Sequence, residues 1–301
     1  MLVTGITNAE TKKIYKMKVI CLINMKGGVG KTTLSVNLCD CLASRNSAKV
    51  LLIDIDPQFN STQCLMSPDE YVDHLKSKKD TIINVYDRNV RPIISTVDGI
   101  DSSTPKKLDE IEPILIKNNF FLLPGNLELY RIEMSPGEGR ENKLNKYIKL
   151  INGKNNYDYI IIDTPPTPSI WMTSALLASD YYLIPVKPDP ISFTGIDLLQ
   201  SIINERKENL DLKIECCGVV LTMVESNTRV YKDALKFLNK SKWKKFKFAK
   251  ELPKRTEIAR SQMNKTFILD LDDSEAKLNL AGITSELIKR TNDGQKSNKK
   301  T

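Results

Sequence analysis

The 301-residue sequence predicts an α/β fold, a mostly parallel twisted sheet with helices on both faces. Three observations carry this. The runs at 19–23, 50–53, 159–162 and 181–186 are continuously apolar, as strands buried on both faces are. Stretches of helical spacing separate them, and Leu34, Leu38, Cys41 and Leu42 form the first apolar helix face. A glycine-rich turn, Asn24-Met25-Lys26-Gly27-Gly28-Val29-Gly30-Lys31-Thr32-Thr33, joins the first run to the first helix, the strand-turn-helix unit of a phosphate-binding sheet.

A chain of this length buries a large core in one domain. We place that domain at 17–289, between a short polar extension at 1–16 and a polar, lysine-rich tail at 290–301 expected to be disordered. The extension is too short for a helix-turn-helix, which removes one route to sequence-specific DNA reading. A formal net charge of +8 suits a polyanionic partner, although lysine-rich surfaces also serve as plain solvated faces. No apolar run reaches the length of a membrane span and residues 1–16 carry no signal-peptide core, so the expected location is cytoplasmic. Six cysteines without a C-x-x-C pair, and His74 as sole histidine, argue for buried structural thiols and against zinc, disulfide or histidine chemistry.

The glycines of the turn let backbone N–H groups approach phosphate oxygens, and the helix N-terminus adds partial positive charge. Lys31 is placed to neutralise β- and γ-phosphates, and Thr32 to offer a hydroxyl to Mg²⁺. The strict G-x-x-x-x-G-K-[ST] pattern fails because Met25 stands at its first glycine, and a second lysine, Lys26, follows. Two lysines on one tight turn repel unless an anion lies between them, which disfavours a turn without a ligand. The absence of G-x-G-x-x-G disfavours a dinucleotide site. Lys-Gly-Gly-Val-Gly-Lys-Thr-Thr resembles the deviant Walker A P-loop of the ParA/MinD ATPases. That resemblance implies nucleotide contacts from Lys26, Gly27, Gly28, Val29, Gly30, Lys31, Thr32 and Thr33, with Lys26 reaching the phosphates of a second protomer.

The second run leads into Asp54-Ile55-Asp56-Pro57-Gln58-Phe59-Asn60-Ser61-Thr62. Strand alternation points Asp54 and Asp56 the same way at the carboxyl end of the sheet, where open α/β folds bind ligands. Facing a Mg-nucleotide, one carboxylate can hold metal-bound water while the other orients the attacking water. A capping role before Pro57 explains either acid alone but not the pair. The string is similar to the family's D-x-D-P-Q-x-N-x-T segment. By that resemblance Asp56 activates water, Asp54 supports the metal shell, and the Pro-Gln favours the ParA branch over MinD.

Residues 81–87 read as a short helix, while Pro92, Gly99, Pro105 and Pro113 mark 88–119 as an insertion or loop region without assigned chemistry. Phe120-Phe121-Leu122-Leu123-Pro124-Gly125 reads as a buried strand and turn, and Leu144, Tyr147, Ile148 and Ile151 as a helix packed on the sheet. Tyr159-Ile160-Ile161-Ile162-Asp163 puts an acid at the exit of a buried strand, where a Walker B aspartate holds Mg²⁺. Its Asp163-Thr164-Pro165-Pro166 resembles the family's D-x-P-P. A helix over 170–179 and strands over 181–186 and 217–223 complete the sheet. In the family, the loop after that last strand often carries an arginine near the base; Asn227 stands at that place here.

Between 231 and 265 basic residues far outnumber acids, with Trp243, Phe246 and Phe248 interleaved. A solvated face with its aromatics turned inward and a nucleic-acid surface are both open on this evidence. The resemblance favours the second, because ATP-bound ParA-type dimers hold DNA without sequence preference through basic residues of the C-terminal part. It yields Lys242, Lys244, Lys245, Lys247, Lys254, Arg255 and Arg260 as candidate DNA contacts. Glu257 and Arg260 depart from the family's I-P-R-x-x-R-L-x-E-A-P segment.

The resemblance spans roughly 17–269 and implies a Mg²⁺-dependent ATPase with Lys26, Lys31 and Asp56 as catalytic residues and Thr32, Asp54 and Asp163 around the metal. Its implied cycle is an ATP-sandwich homodimer on double-stranded DNA, nucleoid-associated, released when a ParB-like centromere-binding protein stimulates an otherwise weak hydrolysis. A MinD-like membrane-cycling ATPase is the alternative, but no apolar helix face continues past Ile288 to serve it. An iron–sulfur reductase would need cysteines between Cys64 and Cys216, where none stands. An adaptor with vestigial hydrolysis is the remaining reading.

Overall fold

The computed structural model describes residues 17–87, 93–95, 99–101, 106–134, 137 and 139–297. The strands are β1 (Lys18–Leu22), β2 (Val50–Asp54), β3 (Ile93–Ser95), β4 (Gly99–Asp101), β5 (Ile114–Lys117), β6 (Phe120–Leu123), β7 (Tyr159–Asp163), β8 (Tyr181–Val186) and β9 (Glu215–Leu221). The helices are α1 (Lys31–Asn46), α2 (Asn60–Leu65), α3 (Pro68–Lys76), α4 (Ile83–Tyr86), α5 (Leu129–Met134), α6 (Lys143–Asn155), α7 (Ile170–Ala178), α8 (Pro190–Leu210), α9 (Arg229–Lys240), α10 (Thr256–Met263) and α11 (Ser274–Ser297). Seven strands form one sheet in the order β5-β6-β2-β7-β1-β8-β9, and β3 pairs with β4 apart from it. Within the large sheet every pairing is parallel except that of β5 with β6.

The unbroken apolar strands have the expected cause. Side chains alternate across the sheet, so Val19 and Cys21 of β1 join one core with α6 and α7, while Ile20 and Leu22 join another with α1 and α11. Both faces are therefore dry. The strand order also decides where the chemistry lies. Because β7 sits between β1 and β2, Asp163 is in register with Leu22 on one side and Asp54 on the other, and all three strands empty at the same edge.

Two boundaries differ from the sequence reading. Ile114–Lys117 lies inside the stretch taken as an insertion, yet it forms the antiparallel edge strand β5, with Leu115 exposed and Ile114 and Ile116 half-buried. Its four residues, Ile-Leu-Ile-Lys, show no clear polar alternation to mark them. The tail assigned to 290–301 is helical as far as Ser297. Arg290 anchors it by donating to the carbonyls of Cys217 (2.9 Å), Phe246 (2.8 Å) and Lys247 (2.9 Å), and the Thr291 carbonyl accepts from the Tyr181 hydroxyl at 3.1 Å. Polar composition concealed this docking, since the contacts are hydrogen bonds rather than an apolar stripe. The extension at 1–16 and residues 298–301 lie outside the described residues.

Candidate functional site

The loop between β1 and α1 is built by residues that fix its backbone. Gly28 and Gly30 adopt φ of 67° and 76°, a region where a side chain is strained, and Gly30 is the N-cap of α1. Asn24 braces the entry, its Nδ2 donating to the Pro185 carbonyl (2.7 Å) and its Oδ1 accepting from the Lys26 N–H (2.9 Å). The Thr222 hydroxyl, just past β9, donates to the Val29 carbonyl at 2.6 Å. Lys31 folds back under the loop, where its Nζ donates to the carbonyls of Asn24 (3.1 Å) and Lys26 (3.4 Å). Burial pushes the Lys31 pKa down, and the nearby charges of Asp163 and Asp56 hold it up. Backbone N–H groups, a helix N-terminus and a buried ammonium thus surround a space suited to phosphate.

Asp163 stands beneath that space and collects three hydroxyl donors. Thr32 Oγ1 (2.8 Å) and Ser61 Oγ (2.6 Å) donate to Oδ2, and Ser35 Oγ (3.2 Å) to Oδ1. Ser35 and Ser61 were not singled out by sequence reasoning. Helical spacing from Thr32 marks Ser35, and Ser61 lies within the segment that follows Asp56. Asp56 is 5% exposed on the cavity wall, its Oδ1 accepting from the Gln58 N–H at 2.9 Å.

Asp54 and Asp56 both lie at the carboxyl end of β2, and of the two only Asp56 lines the cavity. β2 ends at Asp54, the Ile55 N–H still donates to the Asp163 carbonyl at 3.1 Å, and the Asp56 N–H donates to Asp54 Oδ1 at 3.3 Å. Asp54 Oδ2 accepts from the N–H and hydroxyl of Thr62 (both 2.8 Å), which seats α2, and Asp54 lies outside the cavity lining. It stands behind Asp163 as its strand partner. Burial raises the pKa of both acids, and the Asp163 charge raises Asp54 further.

This pair links stability to pH. Stability from a retained proton is complete below the ordinary aspartate value of 3.8 and is lost as pH rises through the raised folded values. In thermal melts of the nucleotide-free protein, Tm is expected to fall as pH climbs above the usual carboxylate range. Asp54→Asn removes one of the two charges and should flatten that fall; an unchanged slope would show that the pair does not titrate there.

Lys26 leans away from the phosphate space. Its Nζ pairs with Asp189 Oδ2 at 2.6 Å and donates to Ser192 Oγ at 3.3 Å, while Ser192 N–H donates to Asp189 Oδ1 at 2.9 Å. The cavity above the loop, about 620 Å³, is lined by residues 27–33 with Asp56, Gln58, Asn60, Gln63, Cys64, Pro166, Met223, Ala259, Gln262 and Met263. Structure therefore brings Lys31, Thr32, Thr33, Asp56 and Asp163 to one site and adds a wall from α10.

The seven candidate DNA contacts follow β9 in the chain and run from the turn after α9 into α10. Lys247 bridges to Val219 within β9, whereas Pro253 bridges to Val224 beyond its end, so Lys254, Arg255 and Arg260 lie toward the cavity and Lys242–Lys247 farther back. Trp243 and Phe248 are buried, so the aromatics serve the core rather than stack on bases. Lys242 pairs with Asp197 (3.0 Å), Lys247 with Glu251 (2.7 Å), Lys254 with Glu225 (3.2 Å), and Arg255 with Asp273 (3.1 Å) and Glu275 (2.6 Å). Among the described residues, Lys244, Lys245 and Arg260 are exposed and make no such ion pair.

Comparison with known proteins places these features in context. The AAA domain family model matches residues 17–216, ending within β9 and short of the basic segment. The chain is 37% identical over 217 residues to the sporulation initiation inhibitor protein Soj of Bacillus subtilis, covering 71% of this chain and 75% of Soj. It is 32% identical over 220 residues to the chromosome partitioning protein ParA of Myxococcus xanthus, covering 71% and 67%. Among solved structures, a plasmid partition protein of Borrelia burgdorferi B31 bound to AMPPNP superposes with a TM-score of 0.69 at 25% identity, covering 91% of this chain and 99% of that one.

Proposed function

The chain belongs to the family of ParA and Soj partition ATPases, and from that membership we propose that it is an ATP-driven switch that holds DNA non-specifically as a dimer and lets go on hydrolysis. One observation carries the chemistry: Lys31, Thr32 and Asp56 line a single cavity at the carboxyl edge of the sheet, and Asp163 is buried behind Thr32, whose hydroxyl donates to it. Lys31 neutralises the terminal phosphates, and Asp56, its pKa raised by burial, orients the attacking water.

Mg²⁺ fits the donor set. Among the described residues no group of three or more His, Cys, Asp or Glu side chains is ready to cage a metal, which suits an ion that takes few protein ligands and arrives with its phosphates. Thr32 would hold it directly and Asp163 from behind that hydroxyl; when bound, it supplies charge neutralisation at the phosphates. Lys26 exchanges Asp189 for the phosphates of a second protomer. A centromere-binding partner of the ParB kind stimulates the release step. α11 buries Ala276, Leu280, Ile283 and Leu287 in the core, which leaves those apolar residues unavailable to a membrane.

Lys244, Lys245 and Arg260, exposed and without acid partners among the described residues, are the favoured phosphate contacts. DNA retention by the purified protein is expected with ATP and not with ADP, without sequence preference. The logarithm of affinity should fall against that of salt by about 0.9 per phosphate neutralised. Equal retention with ADP, or a sharp preference for one duplex in competition, would overturn this reading.

A further inference from the structure

One side chain joins the phosphate loop to α10. Gln262 Nε2 donates to Thr33 Oγ1 at 2.8 Å, across 229 residues of sequence, and with Ala259 and Met263 it walls the cavity. The helix that carries it is held firmly. Ile258 and Ser261 are buried, the Thr266 N–H donates to the Ser261 carbonyl (3.0 Å), and the Ile268 N–H donates to Asn37 Oδ1 (2.7 Å), one turn along α1 from Thr33. Gln262 is thus fixed over the first turn of α1. Lys31 and Thr32 face the terminal phosphates, so an anion reaching Thr33 is a phosphate nearer the sugar, common to ADP and ATP. An amide N–H aimed at that point is a donor for it.

We propose that Gln262 is a nucleotide-contacting residue whose Nε2 leaves Thr33 Oγ1 and donates to an oxygen of the inner phosphates, while α10 stays in place. The inference rests on the reading of the cavity as a nucleotide site. It also gives the basic segment a physical tie to occupancy, because α10 follows directly on Lys254 and Arg255 and carries Arg260.

Calorimetric titration of wild type, Gln262→Ala and Gln262→Glu with ADP and with ATP, in Mg²⁺, tests it. Glutamate is nearly the same shape, and Thr33 Oγ1 can donate to it, so the nucleotide-free contact survives while a negative charge faces the phosphate. The thermal melt of nucleotide-free Gln262→Glu should match wild type. Affinity for both nucleotides should fall about tenfold in the alanine variant, as for one lost hydrogen bond to a charged group, and about a hundredfold in the glutamate variant. Wild-type affinity in Gln262→Glu would reduce Gln262 to a wall residue and overturn the proposal alone. A loss confined to ATP would overturn the assignment to the inner phosphates. Failure of wild type to bind either nucleotide would remove the nucleotide reading and this inference with it.

Discussion

Asp56→Ala is expected to lower ATP turnover about a hundredfold or more while ATP still binds. Asp56 lines the cavity and is nearly buried, with Oδ1 tied to the Gln58 N–H at 2.9 Å, an arrangement that leaves Oδ2 for a water. Its burial raises the pKa, so the carboxylate is a stronger base than one in open water. Removing it deletes the water's partner without touching Lys31, Thr32 or Asp163. Phosphate release under saturating ATP reads the effect directly. Turnover near the wild-type rate would mean that another group orients the water.

Lys26→Ala is expected to abolish turnover to a similar degree by another route, leaving a monomer that binds ATP. Lys26 is 41% exposed on its side chain and is occupied by Asp189 in the single chain. An ion pair so exposed contributes about 0–1 kcal/mol, so breaking it costs the fold little and Lys26 is free to move. The phosphates of a second protomer offer more charge than one carboxylate. Size-exclusion chromatography with ATP, alongside phosphate release, separates this from a folding defect; full hydrolysis in the variant would sink the cross-protomer role.

The sequence showed the sheet and the phosphate loop because both rest on local patterns. Apolar runs needed burial on two faces, and glycines at 28 and 30 were needed for positive φ. Asp163 was legible as the acid at the exit of such a run. What could not be read was how distant side chains meet. Asp189 lies 163 residues from Lys26 and Gln262 lies 229 from Thr33, and no period or spacing reports either contact. The seating of α2 by Asp54 was hidden in the same way, because its Oδ2 accepts from Thr62, eight residues on. The tail after Lys289 misled through composition, because Arg290 binds the carbonyls of Cys217, Phe246 and Lys247, which only the folded chain brings together.

The role proposed for Lys26 requires an ATP-switched dimer. Asp56→Ala slows the exit from that state, so its mass by light scattering with ATP, with ADP and without nucleotide is the most direct measurement. We expect a stable dimer with ATP and a monomer of 34.1 kDa in the other two conditions. One mass in all three would contradict the account.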